Sequence, residues 1–349
     1  MRIIFFLLVL FSLNSIGAQT RQYYNQYMLN PGMFNPANMD IFTKYGTTVV
    51  YHNDYLGSSY APLSFGVYSY FNRRPHQGIA GSIINDNFGK YNQAEIAANY
   101  SYKIFSRNAG GYCHSFGFRV GFTQRYLNST SLYYPSLVKD QVTDPTLGES
   151  SIAQFGFNVG FGYAFVTDKW DVNFSMPQLI GNRMPASSVD SMPSRTVNDM
   201  IANNNFFLSL GYKHRYDKDW YVLYPTMFIK GAAGAPIHAG VDVNLLMNQL
   251  VWTGIGFRSD MTLVGSVGIF LDLGWRFVYS YNNAMLTKHP GTGFSHELSV
   301  GYGRTIPENP FQYKKFTTAS GDIKLPKSHK IKMPRIKFFK KISGKLKYD

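Results

Sequence analysis

Ala153-Gln154-Phe155-Gly156-Phe157-Asn158-Val159-Gly160-Phe161-Gly162-Tyr163-Ala164-Phe165 alternates without a break. From Phe155 on, each odd position is large and apolar, and each even position is Gly, Ala or an amide. Side chains on a strand point to opposite faces with period two, so this stretch is a ribbon with one greasy side. Its other side lacks the charged exterior of a strand from a water-soluble sheet.

The pattern recurs along most of the chain. Phe116, Phe118, Val120 and Phe122 oppose Gly117, Arg119, Gly121 and Thr123. Ile237, Ala239, Val241, Val243 and Leu245 alternate with His238, Gly240, Asp242 and Asn244. Phe294, Leu298, Val300 and Tyr302 face away from Ser295, Glu297, Ser299 and Gly301. About 14 strands are predicted, near 45–56, 61–71, 78–87, 92–105, 111–126, 152–166, 169–176, 203–216, 219–231, 235–246, 250–258, 261–270, 274–283 and 294–304. Tight connections such as Thr167-Asp168, Asp217-Lys218 and Asn248-Gln249 follow even-numbered strands. The two long ones, roughly 127–151 and 177–202, follow odd-numbered strands.

Short periplasmic turns on one rim and longer extracellular loops on the other characterise a transmembrane antiparallel β-barrel of an outer membrane. An all-β barrel is therefore the predicted fold, and an even strand number returns both its ends to the short-turn rim. The alternative is a secreted β-sandwich with the apolar rows inside. Against it, Arg119, Asp242, Asn244, Arg258, Arg276 and Glu297 are dispersed over the polar faces and of mixed sign. Such groups stay hydrated when they line a water-filled lumen. The 26 Tyr and 28 Phe suit a lipid-facing wall with interfacial girdles.

The chain opens with Arg2, an apolar run from Ile3 to Leu13, then Ser15, Gly17 and Ala18, which reads as a signal peptide over 1–18. The run is too short for a spanning helix, which needs about 20 residues. Cys113 is alone and has no partner for an internal disulfide. Of the 34 Lys and Arg, 12 lie from Glu308 onward, against three acidic residues there, so a nearly balanced body carries a basic tail. The predicted organisation is a signal peptide (1–18), a turn-rich segment at the periplasmic mouth or in the lumen (19–44), an outer-membrane barrel (45–304) and a flexible basic periplasmic tail (305–349).

In that tail Lys332, Arg335, Lys337, Lys340 and Lys341 interleave with Ile331, Ile336, Phe338 and Phe339, while Pro326 and Pro334 rule out one long helix. Each cation near an anionic surface contributes about 1 kcal/mol, less as salt rises. Inner-leaflet headgroups, cell-wall polymer and an acidic periplasmic partner are the candidate surfaces; a solvated tail with no partner is the alternative. Export removes the chain from nucleic acid.

Ahead of the first strand stand Tyr24-Asn25-Gln26-Tyr27-Met28-Leu29-Asn30-Pro31 and Asn35-Pro36-Ala37. The two Asn-Pro steps interrupt helix and strand alike, predicting an ordered, turn-rich element. These words resemble the opening of the PorP/SprF family of type IX secretion outer-membrane proteins. The likeness continues at Tyr224-Pro225-Thr226-Met227, Val241-Asp242-Val243-Asn244, Trp252-Thr253-Gly254 and Ser295-His296-Glu297-Leu298, and covers roughly residues 22–304. The resemblance implies an outer-membrane component that supports export and surface attachment of a partner protein such as a gliding adhesin. Implied partners are outer-membrane lipid, periplasmic secretion components and an adhesin's C-terminal sorting domain. Gln26, Tyr27, Met28, Asn30, Pro31, Asn35 and Pro36 are then the family motif and the candidate docking residues.

Patterns that carry catalysis are missing: there is no Gly-x-Ser-x-Gly elbow, His-Glu-x-x-His, phosphate loop or dinucleotide fingerprint. On a strand, His296 points opposite Ser295 and Glu297, so the three do not form one unit. The other histidines lack metal-ligand spacing. No catalytic, cofactor or metal site is expected, and Asp242 with Arg258 or Arg276 reads as an ordering ion pair. Two rivals stay open: a passive diffusion porin, and a barrel enzyme acting on lipid or peptide.

Overall fold

A computed structural model of the chain describes residues 24–40, 43–54, 62–106, 111–127, 152–179, 205–216, 221–232, 237–271, 274–284 and 294–305. The signal peptide, the basic tail and most of the two long connections lie outside the described residues.

The strands run β1 (Thr43–Asp54), β2 (Leu63–Arg74), β3 (Gln77–Phe88), β4 (Tyr91–Phe105), β5 (Tyr112–Leu127), β6 (Ile152–Thr167), β7 (Trp170–Gln178), β8 (Asn205–Tyr212), β9 (His214–Tyr216), β10 (Tyr221–Ala232), β11 (His238–Met247), β12 (Val251–Arg258), β13 (Thr262–Phe270), β14 (Trp275–Ala284) and β15 (Phe294–Thr305). All pairings are antiparallel, and β1 lies on β15 with Val49 opposite Val300, so the sheet closes on itself. β8 and β9 both lie along β10 and form one barrel strand, giving a closed 14-strand barrel. The stretch 203–216, predicted as one run, is interrupted at Lys213. Pro225 of β10 faces the interruption, between the Leu223–His214 and Thr226–Gly211 pairs, and has no N–H to give the ladder.

Closure pairs the backbone without an edge, which is what lipid demands. Strands β1 and β3 have 12 residues each, enough to cross the hydrocarbon at a tilt, which takes about 9–11. The apolar rows look outward: Phe155 is 75% exposed, Ile255 72% and Phe122 61%. Arg119 and Glu297, at 1% and 0%, are turned inward. The greasy side of the ribbon is the outer wall.

Thr43 and Thr305 share one rim, called here the terminal rim. Its connections include Pro75-His76, Asp168-Lys169 and the turn at Asn248-Gln249. Those last two residues have φ of +52° and +53°, the left-handed pair of a tight hairpin. Aromatic contacts ring this rim on the outside, with Trp170 and Tyr212 centroids 4.6 Å apart and Trp275 and Tyr302 4.9 Å apart. The connections 128–151 and 180–204 leave from the opposite rim.

Of the two seats open to the turn-rich segment, the mouth and the lumen, residues 24–40 occupy the lumen. They fold inside it as turns, with one 3-10 turn at Pro31–Met33. Tyr24, Tyr27, Met33 and Phe34 of this segment form an apolar cluster with Val50, Tyr68, Phe207 and Phe228 of the wall. Tyr27 meets Phe228 edge-on at 4.7 Å, and Phe34 lies 5.6 Å from Phe207. The barrel is built around a plug.

Candidate functional site

The plug is fastened to the wall on several sides, by a different chemistry at each. Toward the far rim, Glu297 accepts hydrogen bonds from the backbone N–H groups of Asn25 (2.6 Å) and Gln26 (2.9 Å). His52 Nδ1 lies 2.8 Å from the same carboxylate, and its Nε2 lies 2.9 Å from Asp54. Tyr24 and Ser64 share a hydroxyl hydrogen bond of 2.9 Å, and Ser64 donates to Asp86 at 2.5 Å. At mid-depth the Tyr27 hydroxyl contacts Thr226 (2.9 Å) and Asp242 (3.0 Å). Burial, and next the Asp242 carboxylate, push the Tyr27 phenol well above its ordinary range, so it stays a donor.

Toward the terminal rim, Asn35 Nδ2 donates to the Tyr163 carbonyl at 2.9 Å and Asn38 Nδ2 to Asn173 at 2.6 Å. Ser115 donates to the Ala37 carbonyl at 2.6 Å. Asn72 donates to the Asp40 and Thr43 carbonyls at 2.8 and 2.6 Å, holding the passage from plug into β1. The approach is close enough to need bare wall. A Cβ at Gly117 would sit 2.2 Å from Ala37 N, and one at Gly162 2.0 Å from Asn35 Oδ1. Of the even-position glycines of the opening ribbon, Gly162 faces this element, while Gly160 lies against the Pro177 backbone of β7.

Each residue predicted as family motif lies in the plug. Gln26 donates to the Val278 carbonyl (3.2 Å) and Ser280 (2.8 Å) and accepts from Ser299. Met28 is half-buried between two apolar clusters. Asn30 accepts from Arg276, Pro31 opens the 3-10 turn, and Pro36 rests over Gly162. The predicted lumen groups all point inward, and each finds a partner: Arg119 with Glu95, Arg258 with Asp242 at 2.9 Å, Asn244 with the Tyr224 carbonyl at 3.2 Å. Arg276 contacts Asn30 and Thr48 rather than Asp242. His296 faces outward against the Tyr279 hydroxyl at 2.5 Å while Glu297 faces inward. Lys332, Arg335, Lys337, Lys340 and Lys341 lie outside the described residues. Among those described, no group of three His, Cys, Asp or Glu is placed to hold a metal ion.

Sequence reading missed His52, which meets Glu297 across the β1–β15 seam, and the inward aromatics Tyr68, Phe207 and Phe228. The aromatics left a signal. Phe206-Phe207-Leu208 and Met227-Phe228-Ile229 are apolar on both faces, which lipid on one side cannot explain.

A closed, lipid-facing barrel whose lumen holds its own N-terminal segment defines a plugged outer-membrane β-barrel protein. The family comparison agrees with the motif words. Residues 16–302 match the family described as type IX secretion system membrane protein PorP/SprF, and the chain belongs to that family. No curated protein matches it. Similar solved structures include the Acinetobacter baumannii outer membrane protein Omp33, at 7% identity over 76% of this chain and 100% of that one, TM-score 0.41. BamA from Haemophilus ducreyi lacking POTRA domains 1–3 is similar at 10% identity over 75% and 70%, TM-score 0.38. The P. putida toluene transporter TodX is similar at 7% identity over 75% and 89%, TM-score 0.40.

Proposed function

We propose that this chain is a sealed docking scaffold of the type IX secretion system. Membership of the family makes it an outer-membrane component of that system. In our reading, the barrel anchors it, the terminal rim faces the periplasm, and the long connections face outward. The client is a secreted protein such as a gliding adhesin carrying a C-terminal sorting domain, supported during export and surface attachment.

The filled lumen carries this reading. A diffusion porin needs a continuous aqueous path, and residues 24–40 are bonded to β2, β5, β6, β10, β11, β14 and β15 across that path. Intact protein in planar bilayers should show no steady conductance; a constant open current would favour the porin. Nor does the buried His52 favour an enzyme, because both its ring nitrogens lie against carboxylates and leave none for a nucleophile. Deleting the gene should abolish surface display of at least one adhesin with such a sorting domain. Unchanged secretion and display of every one of them would refute the scaffold role. Removing residues 320–349 should weaken periplasmic cross-links while leaving insertion intact, and equal cross-linking would retire the tail as a docking element.

A further inference from the structure

Most inward cations are matched or closed off. Arg119 pairs with Glu95 and Arg258 with Asp242, while the fully buried Lys103 ends on Asn72 Oδ1 at 2.7 Å. Arg276 is different. It is the second residue of β14 at the terminal rim, points into the lumen mouth and is half-exposed. Among the described residues no carboxylate lies within ion-pair distance of it. Its hydrogen bonds run from Nη2 alone, to Thr48 Oγ1 at 3.1 Å and to Asn30 Oδ1 at 3.5 Å, although a guanidinium carries five donors in a fixed fork. Asp40, near the same mouth, has its carboxylate engaged by the Thr43 hydroxyl.

A second observation points to the same place. Asn30 is 4% exposed, and its Nδ2 has no hydrogen-bond partner. Arg276 can only donate, so Oδ1 faces the guanidinium and the amide's own donor is left over. Gly301 stands opposite Arg276 across the strand pair, and a Cβ there would lie 2.3 Å from Arg276 Nε. A side chain there would collide with the guanidinium, so the bare backbone lets Arg276 lie close against the wall. A cation with no carboxylate partner among the described residues, beside a buried amide short of one acceptor, asks for negative charge, and a carboxylate matches the fork with two parallel bonds.

We propose that Arg276, Asn30 and Thr48 form a carboxylate-binding site in the periplasmic mouth, which takes an acidic side chain or C-terminus of a partner peptide. Because Asn30 belongs to the plug and Arg276 and Thr48 to the wall, an occupant bridges the two. The site rests on the docking reading for its partner, but peptide binding by purified protein tests it whether or not secretion depends on the chain.

The test uses full-length protein in mild detergent and fluorescence anisotropy. The probe is a tetrapeptide alternating aspartate and glutamate on an uncharged dye, with the corresponding amide peptide as control. The acidic peptide should bind and the amide peptide should not. Arg276→Gln should weaken binding about tenfold, as expected for a lost charged hydrogen bond. Arg276→Lys should fall between, because an ammonium lacks the fork. Asn30→Asp places a carboxylate beside the guanidinium and should block the site from within. The basic tail is common to all variants, so their differences report the mouth. Heat-modifiable mobility on gels checks that each barrel is folded, and Asn30→Asp carries the test if Arg276→Gln does not fold. Equal affinity in wild type and Arg276→Gln, or undiminished binding by Asn30→Asp, overturns the site.

Discussion

Adjacent residues on β15 can differ completely in what they support. Glu297 is buried, and its two oxygens receive Asn25 N, Gln26 N and His52, so one carboxylate joins the plug to the β1–β15 seam. Glu297→Gln keeps the shape but removes the charge and sets an NH2 donor against donors. Breaking a buried charge pair from one side costs about 3–5 kcal/mol. The expected outcome is a lower melting midpoint of the heat-modifiable band, with a cysteine placed at Asn25 becoming open to thiol labelling. His296 faces lipid against Tyr279, so His296→Ala should shift the same midpoint by no more than about 0.5 kcal/mol equivalent. Similar midpoints for the two variants would show that Glu297 does not hold the plug.

At the level of elements, the plug and the wall are fitted backbone to backbone. Gly117 faces the Pro36-Ala37 peptide, and Gly265 has nothing within 4 Å of a would-be Cβ. Gly117→Ala should therefore unseat the plug, since the obstructing atoms are main chain and cannot swing aside. Gly265→Ala should leave protease resistance of residues 24–40 unchanged. Limited proteolysis followed by mass spectrometry reads both, and a protected plug in Gly117→Ala would contradict the fit. These glycines also mark where sequence reading stopped. The period-two rows announced the strands and their outer face, because lipid accepts only apolar side chains there. The inner face carries no such rule: Gly and Asn serve a water-filled lumen as well as a protein-filled one. The Asn-Pro words told of a turn-rich element, but its seat depends on contacts between residues far apart in sequence, such as Asn25 with Glu297. The doubled apolar positions around Phe207 and Phe228 were the wall's own sign that something besides water fills the interior.

For the whole molecule, closure and sealing are separable, because the barrel's backbone bonds run between strands and none of those pairings needs the plug. Deleting residues 24–40 should therefore leave a barrel that still inserts. Its interior would then present Glu95–Arg119, Asp242–Arg258 and His52–Glu297 to water, groups that hydrate readily once exposed. The inward Tyr68, Phe207 and Phe228 would lose their apolar cover, at roughly 25 cal/mol for each Å² uncovered, so the midpoint should fall even though the fold survives. A lumen lined by mixed charge and freed of its occupant should pass ions. The prediction is steady conductance from the deletion variant in planar bilayers and none from the intact chain. If the variant inserts and stays as silent as the parent, the wall alone closes the path, and the N-terminal segment is a docking element without being the seal.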